Sequence, residues 1–278
     1  MAHWSLDDIA WHEFDRSKVT PELVSLIKAA SMVEHNAYDY ARYLCEVFAG
    51  DEVFQQAARD WAEEEVQHGM ALRKWAELAD PDFNFEQSFK NFTTGYQLPQ
   101  NVSGSVRGSR SSELIARCVV EIGTSSYYTA IKDYTSEPVL MALSAKIAAD
   151  EFRHHKLFYT HLQRYLGIEK LSLWQRIKLV VGRVTESEDD ELAYAFYAAH
   201  ERDFQEAYDR KLYANRYMAC VSSLYRKGHI DRMISMAFKT IGLKPHTIFN
   251  RCITHLAWNI LRIRIYRGVT YIHQAALP

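Results

Sequence analysis

The chain has 278 residues, of which 48% are hydrophobic and 24% are charged, and its formal net charge is −2. This length is sufficient for one large buried core, and neither the charge nor any motif supports nucleic-acid binding. Gly and Pro are scarce, at 11 and 6 residues, whereas Ala, Leu, Glu and Arg are common, so the composition predicts an all-α protein.

The cysteines and the N-terminus bear on the cellular compartment. The four cysteines form no CxxC pair, and a chain of this length needs no disulfide, which fits a reducing compartment. The N-terminal sequence MAHWSLDDIAWHEFDRSK lacks the basic and then apolar layout of a signal peptide, and no stretch of about eighteen apolar residues is present. We therefore expect a cytoplasmic protein.

The first two long helices are predicted from their start and stop signals. Helix A begins at Thr20-Pro21, where a capping residue precedes a proline at the first helical position, and it ends at Gly50. Helix B begins at Asp51 and ends before Pro81. The connection between them is short, so the two helices should form an antiparallel hairpin.

A second predicted hairpin follows a polar loop, PQNVSGSVRGSRS, at residues 99–111. Helix C runs from about Ser112 to Ser136, and helix D runs from near Pro138 to Gly167. The connection from B to C, at about thirty residues, is long enough to cross over the hairpins. One long crossover is typical of a ferritin-like four-helix bundle.

The remaining sequence also has helical patterns, at 171–184, 190–227 and 230–267, with Gly182 and Gly228 as expected breaks; the last range is read as one or two helices. No second domain boundary is evident. These accessory helices should therefore pack against the bundle.

We interpret residues 1–278 as a single ferritin-like domain, with a bundle core at about 20–167 and accessory helices at about 171–267.

From Arg232 to the end there are seven Lys or Arg and no Asp or Glu, so the rest of the chain carries a net charge of −9. A solvated helix face explains this basic region best, and the alternative is contact with an acidic protein or with anionic lipid.

Two amphipathic stretches, LSLWQRIKLVVGRV and WNILRIRIYRG, leave a similar choice open. Packing against the bundle is the favoured interpretation, and peripheral membrane contact is the alternative. A homodimer is also compatible with the sequence.

Two ExxH pairs are the first sign of chemistry, Glu65 with His68 and Glu151 with His154. Residues at i and i+3 share a helix face, so each pair presents a carboxylate and an imidazole together. Because roughly one such pair is expected by chance in a chain of this composition, the pairs alone indicate little.

The surroundings of these pairs strengthen the signal. Each pair falls within the inward apolar stripe of helix B or D, and helices A and C each place one glutamate, Glu34 and Glu121, on theirs. All four glutamates lie near the middle of their helices and should meet at one level. Glu34 and Glu65 are 31 residues apart and Glu121 and Glu151 are 30 apart, which suggests two related hairpins.

A dinuclear metal site accounts for this pattern. Four buried carboxylates without partners would be very costly, whereas two divalent cations cancel their charge. Four Glu and two His are the ligands of ferritin-like di-iron and di-manganese proteins, so we expect two iron ions, with two manganese ions or one ion of each as alternatives. The competing interpretation is a core of buried Glu–Arg or Glu–His pairs. No Arg or Lys is expected on the four stripes at this level.

The segment WAEEEVQHG resembles the first iron-ligand motif of the soluble acyl-carrier-protein desaturases, and IAADEFRHH resembles the second. The glutamates in MVEHNAYDY and VVEIGTSSYY stand where that superfamily has its other two ligands. The resemblance covers about residues 21–166. It implies a metal site with the ligands Glu34, Glu65, His68, Glu121, Glu151 and His154.

The resemblance also implies roles for three further residues. Glu64 and Asp150 stand where similar proteins have carboxylates that bond the outer nitrogen of a ligand histidine, although a solvated neighbour remains an alternative. Thr124 stands where desaturase-like enzymes carry a hydroxyl that assists oxygen activation, although a threonine bonded back to its own helix is equally compatible. No seventh carboxylate ligand is apparent, and Ile147 replaces the extra histidine of N-oxygenase relatives.

The function implied is oxidation of an aliphatic, acyl-type substrate by O2, with the substrate either free or carrier-bound. Desaturation is the closest analogy, and hydroxylation and aldehyde deformylation are alternatives. No flavin or nicotinamide motif is present, so electrons should come from an external donor such as a ferredoxin. The first alternative is a ferroxidase or peroxidase-type protein that handles iron or peroxide. The second is a metal-free helical binding protein.

Overall fold

The computed structural model describes residues 4–186, 190–200 and 207–275, and within these residues all regular structure is helical. Three short 3-10 turns at Leu6–Asp8, Trp11–Glu13 and Arg16–Lys18 precede the α-helices. The α-helices are α1 (Pro21–His35), α2 (Ala37–Val47), α3 (Glu52–Ala79), α4 (Phe85–Gly95), α5 (Arg110–Tyr134), α6 (Pro138–Leu166), α7 (Leu173–Glu186), α8 (Asp190–His200), α9 (Arg210–Ser222), α10 (Lys227–Ile241) and α11 (Ile248–Ala275).

Helix A was predicted as one helix, and the structure divides it into α1 and α2 at Asn36. Its start is as predicted, because the Thr20 hydroxyl accepts a hydrogen bond from the Leu23 amide and Pro21 is the first helical residue. The predicted stop at Gly50 is a turn with φ of +85°, a conformation that favours glycine. Asp51 then caps α3 by accepting from the Phe54 amide.

Helices B, C and D correspond to α3, α5 and α6, with ends within two residues of those predicted. The crossover between α3 and α5 contains a helix that was not predicted, α4. The buried residues of α4 are the aromatic Phe85 and Phe92. Asn84 caps α4 through a hydrogen bond from the Gln87 amide. A short helix of this kind is difficult to identify in sequence because it spans only three turns.

Side-chain contacts fix α3 and α6 as antiparallel neighbours. At one end, Trp75 Nε1 donates to Glu137 Oε2 at 2.8 Å, and at the other the rings of Phe54 and His161 lie 5.0 Å apart. Residue numbers therefore rise along one helix and fall along the other.

The other neighbours are antiparallel as well. In the pair α1 and α5, Tyr128 bonds Glu34, and further along, Tyr43 of α2 bonds Glu113. In the pair α5 and α6, the hydroxyl of Thr124 donates to Glu151, and further along, Arg110 donates to Tyr165. Four long segments thus surround one core, with α1 and α2 acting together as one of them.

Gly69 allows close contact between α1 and α3. A Cβ at this position would lie 2.6 Å from the backbone nitrogen of His35 and 2.8 Å from its Cα, closer than real Cβ contacts allow. The glycine directly follows His68, and His35 directly follows Glu34. The missing side chain therefore sets the distance between two helices at the level of the glutamates.

Two buried apolar clusters fill the core on either side of that level. One contains Ile27, Trp75 and Ile131, and the other contains Phe54, Leu114 and Phe158. Along each of the four segments the chain passes from one cluster to the other through a glutamate. The acidic residues therefore form a polar layer between the two apolar halves of the core.

The C-terminal helices pack on this core, with α8 against α1 and α4, α7 and α10 against α5, and α11 against α9 and α10. The prediction of one helix at 190–227 was wrong, because α8 and α9 are separate helices. Gly182 lies inside α7 and does not interrupt it, whereas Gly228 lies in the first turn of α10, next to the expected break. None of the described helices combines the length and the apolar character that crossing a membrane requires.

Candidate metal centre

The six side chains selected from the sequence meet in the polar layer. They form two groups, and within each group the potential ligand atoms all lie within 4.8 Å of one another. One group consists of Glu34, Glu65, His68 and Glu151, and the other consists of Glu65, Glu121, Glu151 and His154. Glu65 and Glu151 belong to both groups, so the two halves share a pair of carboxylates.

The centre of the layer contains buried polar atoms that make no hydrogen bond of good geometry to any described residue, although two of them lie close to another side chain of the cluster. They include both carboxylate oxygens of Glu121, Oε1 of Glu151 and Nδ1 of His154. Buried polar groups are almost always paired, and leaving a charged one unpaired is especially costly. The orphaned atoms come from three different side chains and face one another, so a cation between them would satisfy all of them.

The two imidazoles are oriented for this purpose. Nδ1 of His68 faces inward, 3.3 Å from Glu65 and 3.4 Å from Glu151, and Nδ1 of His154 lies 3.0 Å from Glu65. On both rings the other nitrogen points outward, which leaves Nδ1 available as a ligand atom.

The outward nitrogens bond the two carboxylates noted in the sequence, and the pairs are crossed. Asp150 of α6 accepts from Nε2 of His68 of α3 at 2.9 Å, and Glu64 of α3 lies 3.1 Å from Nε2 of His154 of α6. Each carboxylate therefore fixes the ring on the opposite helix. This arrangement sets the tautomer with Nδ1 free of its proton when a metal is bound.

Two residues that were not predicted from the sequence hold these carboxylates. Arg153 bridges them, with bonds to Asp150 and, at 2.9 Å, to Glu64. Trp4 donates to Asp150 from the N-terminal segment, 146 residues away. The i to i+3 spacing of Asp150 and Arg153 was a usable signal for the arginine, whereas no sequence pattern connects Trp4 to this site.

The pKa values of the acids reflect their surroundings. Burial, together with the nearby charge of Glu65, raises the pKa of Glu34 well above its ordinary value, and burial and Glu151 do the same for Glu121. Burial also opposes ionisation of Asp150, but the bonds from His68 and Arg153 outweigh it and lower its pKa to about 2. Glu34 and Glu121 therefore lack a counter-charge that Asp150 already has. Burial also opposes ionisation of Glu65 and Glu151, but their contacts with His68 and His154 help to lower the pKa of both.

Two hydroxyl groups also touch the inner carboxylates. Thr124 Oγ1 donates to Glu151 Oε2 at 2.5 Å and lies 3.3 Å from the carbonyl oxygens of Val120 and Glu121 in its own helix. The hydroxyl of Thr124 is therefore within reach both of the metal-site carboxylate and of carbonyl groups in its own helix, the two roles considered from the sequence. Tyr128 Oη donates to Glu34 Oε1, also at 2.5 Å.

A cavity of about 70 Å3 reaches the inner glutamates from the side of α2 and α5. Its walls include Thr124, Arg117 and, from the accessory helices, Arg183 and Glu191. This space accommodates a few waters or one molecule of the size of O2. A larger pocket of about 630 Å3 lies at another end of the core, beside Arg110 and Arg164, and none of the six residues lines it.

Arg117 corrects one expectation from the sequence. No Arg or Lys was expected on the four stripes at the level of the glutamates, yet Arg117, which lies beside the stripe of α5, is buried one helical turn before Glu121. Its guanidinium lies 4.9 Å from the ring centre of Tyr40 and 5.6 Å from that of Trp61. Burial opposes its charge, but the combined attraction of Glu121 and other nearby groups, Glu113 among them, outweighs burial and raises the pKa of Arg117. One cation cannot balance four carboxylates, so Glu–Arg pairing alone does not explain the core. The contacts of His68 and His154 with Glu65 are Glu–His pairs of the kind that the competing interpretation describes.

The donor set fits a metal ion. Carboxylate oxygens and imidazole nitrogens suit iron and manganese, and neither group includes a cysteine. The described residues therefore contain a buried Glu and His cluster that could hold a metal ion. No protein-family model matches this chain, and no curated protein shows significant sequence similarity to it.

Proposed function

We propose that this protein is a ferritin-like di-iron oxidoreductase that activates O2 to oxidise an aliphatic substrate. The observation that carries the proposal is the set of orphaned ligand atoms on Glu121, Glu151 and His154, in a polar layer between two apolar clusters. The antiparallel packing of the four long segments, with a long crossover between α3 and α5, supports the ferritin-like bundle.

Glu34, Glu65 and His68 would hold one ion with Glu151, and Glu121 and His154 would hold the second with the two shared carboxylates. Two iron ions supply the redox capacity that oxidation of an unactivated C–H bond by O2 requires. Manganese, alone or with iron, suits the same donors. The electrons come from an external protein donor of the ferredoxin type.

The residues around the cavity would support this chemistry. Thr124 holds a hydroxyl proton at Oγ1 beside Glu151 and can donate it towards the cavity. Arg117 adds a fixed positive charge to the cavity wall, which stabilises negative charge that develops there. The apolar clusters on both sides exclude bulk water, so these interactions act in a medium of low polarity.

An acyl chain does not fit the cavity of about 70 Å3 unless its wall opens. Arg183 and Glu191 form part of that wall and come from α7 and α8, which pack on the outside of the core. The proposal therefore includes movement of these accessory helices when a substrate, either free or carrier-bound, enters.

The small cavity favours a second candidate function, oxidation of Fe(II) or reduction of peroxide without an organic substrate. Both reactants fit the space as it is. The two functions differ in what limits turnover. A ferroxidase oxidises successive portions of Fe(II) with O2 alone, whereas the proposed oxidoreductase stops after its resident ions are oxidised and needs an electron donor and substrate to continue.

The test is a comparison of metal content and turnover. Protein produced with iron supplied should contain about two metal ions per chain by elemental analysis, and the double variant Glu65→Ala/Glu151→Ala should contain almost none. Repeated Fe(II) additions that are each oxidised rapidly without a donor would assign the second function. A wild-type protein free of iron and manganese would contradict both functions and support a metal-free binding role.

A further inference from the structure

Helix α7 presents an apolar stripe to solvent. Its inward side contributes Leu179 and Val180 to the core, while Trp174, Val181 and Val184 lie on the outside. Trp174 is 79% exposed and Val181 is 57% exposed. A helix that packs on a soluble core normally turns polar residues outward, so packing against the core explains only one side of α7.

Helix α11 has a similar exposed stripe. Phe249, Leu256, Ile260 and Ile263 follow one another at spacings of 7, 4 and 3 residues, which places them on one helix face. The last three are exposed, and Phe249 is exposed except where its ring approaches that of Phe238, with 5.7 Å between ring centres.

Both helices start near the C-terminal end of α10. The guanidinium of Arg176, in the first turn of α7, donates to the carbonyl of Ile241, the last residue of α10, at 3.4 Å. Phe249, in the first turn of α11, contacts Phe238 of the same last turn of α10. The beginnings of the two exposed stripes are therefore close in space.

Cationic residues predominate along both stripes, and the only acidic residue of α7 is its last, Glu186. Residues 170–185 contain four Lys or Arg and no Asp or Glu, and residues 232–278 contain seven Lys or Arg and no Asp or Glu. The remainder of the chain is acidic. Cationic side chains beside an exposed apolar helix face, with a tryptophan near the helix start, are the features of helices that lie in the interface of an anionic membrane.

We propose that α7 and α11 form a surface that binds an anionic phospholipid bilayer. Trp174 and the aliphatic residues enter the boundary between head groups and acyl chains, while Lys178 and its neighbours meet lipid phosphates. A second copy of the chain would suit this surface less well, because pairing it with itself brings two cationic regions together. The inference is independent of the proposed catalytic function.

Co-sedimentation of the full-length protein with lipid vesicles tests the proposal. We expect binding to vesicles that contain phosphatidylglycerol, little binding to phosphatidylcholine alone, and weakening as salt is raised. Trp174→Ala and Val181→Ser should each lower the apparent affinity, with Trp174→Ala reducing it about tenfold. Val53→Ser is the matched control for Val181, because Val53 is 70% exposed on α3 and should leave binding unchanged.

A second pair of variants tests the electrostatic contribution to vesicle binding. Lys178→Glu should weaken vesicle binding at least about fivefold, whereas Lys90→Glu should have little effect, because Lys90 is also exposed but lies on α4. Unchanged circular dichroism establishes that these surface variants fold.

Several outcomes would overturn the proposal. They are absence of vesicle binding, equal binding to both lipids, and binding that Lys178→Glu abolishes but Trp174→Ala leaves unchanged, since this last result means charge attraction alone. A concentration-dependent dimer in sedimentation velocity that Trp174→Ala dissociates would assign the surface to a second copy and also contradict the bilayer assignment.

Discussion

Trp4 Nε1 donates a hydrogen bond to Asp150 Oδ2 at 2.7 Å. The same indole ring lies parallel to the His68 imidazole, with 5.9 Å between ring centres and 7° between planes. Because Asp150 in turn bonds Nε2 of His68, the N-terminal segment holds both members of the pair. The segment that precedes α1 is therefore part of the candidate metal centre.

Replacing this tryptophan should weaken metal retention. Trp4→Phe keeps an aromatic ring but removes the donor, so Asp150 orients His68 less firmly, and loss of such outer partners typically costs about tenfold or more in affinity. Competition with a chelator measures this effect. Trp11→Phe removes an equivalent bond, to the Leu6 carbonyl, away from the site and should not change metal affinity. Equal loss in both variants would show that only the fold of the segment matters.

Neutralising Glu121 should separate stability from metal binding. Both of its oxygens are buried without a hydrogen bond from the described residues, so Glu121→Gln should stabilise the metal-free protein by about 1 kcal/mol and weaken metal binding. Denaturant unfolding with and without metal measures both changes. Glu113→Gln is the control, since that buried carboxylate accepts from Tyr43 and Ser105 and its loss should destabilise the protein. A destabilised metal-free Glu121→Gln protein would contradict the expectation.

A methyl group at Gly69 should disturb the site through the backbone. Gly69→Ala forces α1 and α3 apart at His35, and overpacking of this kind costs about 1–3 kcal/mol. We also expect reduced metal content, since Glu34 and His68 are the adjacent residues. Gly123→Ala is the matched control in α5, because a Cβ there meets no atom within 4 Å and should be neutral or slightly stabilising. Thermal unfolding and elemental analysis distinguish the two variants.

The hydroxyl of Thr124 should affect O2 chemistry more than metal binding. Thr124→Val removes the donor to Glu151 and keeps the side-chain shape, whereas Thr124→Ser keeps the donor. We expect oxidation of the reduced, iron-loaded protein to slow at least about tenfold in the valine variant, with iron content unchanged and near-normal rates in the serine variant. Stopped-flow absorbance after mixing with O2 gives the rates. Identical rates in all three proteins would assign Thr124 to helix packing.

The helical character and the six candidate ligands were predictable because they follow from local periodicity. Glu65 and Glu151 interrupt apolar stripes, and a charge on a buried helix face is visible in the sequence whatever the final topology. The strongly capped helices α3, α5 and α6 were predicted well for a similar reason, since their start and stop signals lie within a few residues of the helix ends. The break at Asn36 and the helix α4 were missed because each depends on packing around a short segment.

The sequence by itself determined that one glutamate from each of four helices, with two histidines, would lie on apolar faces. Those positions depend on a period of 3.6 residues, which is a property of the chain. Only the tertiary structure decided the crossed bonds of Glu64 and Asp150, the approach of Trp4, the buried charge of Arg117 and the size of the cavity. These features join segments that are far apart in sequence, and their distances depend on how the helices pack rather than on any local pattern.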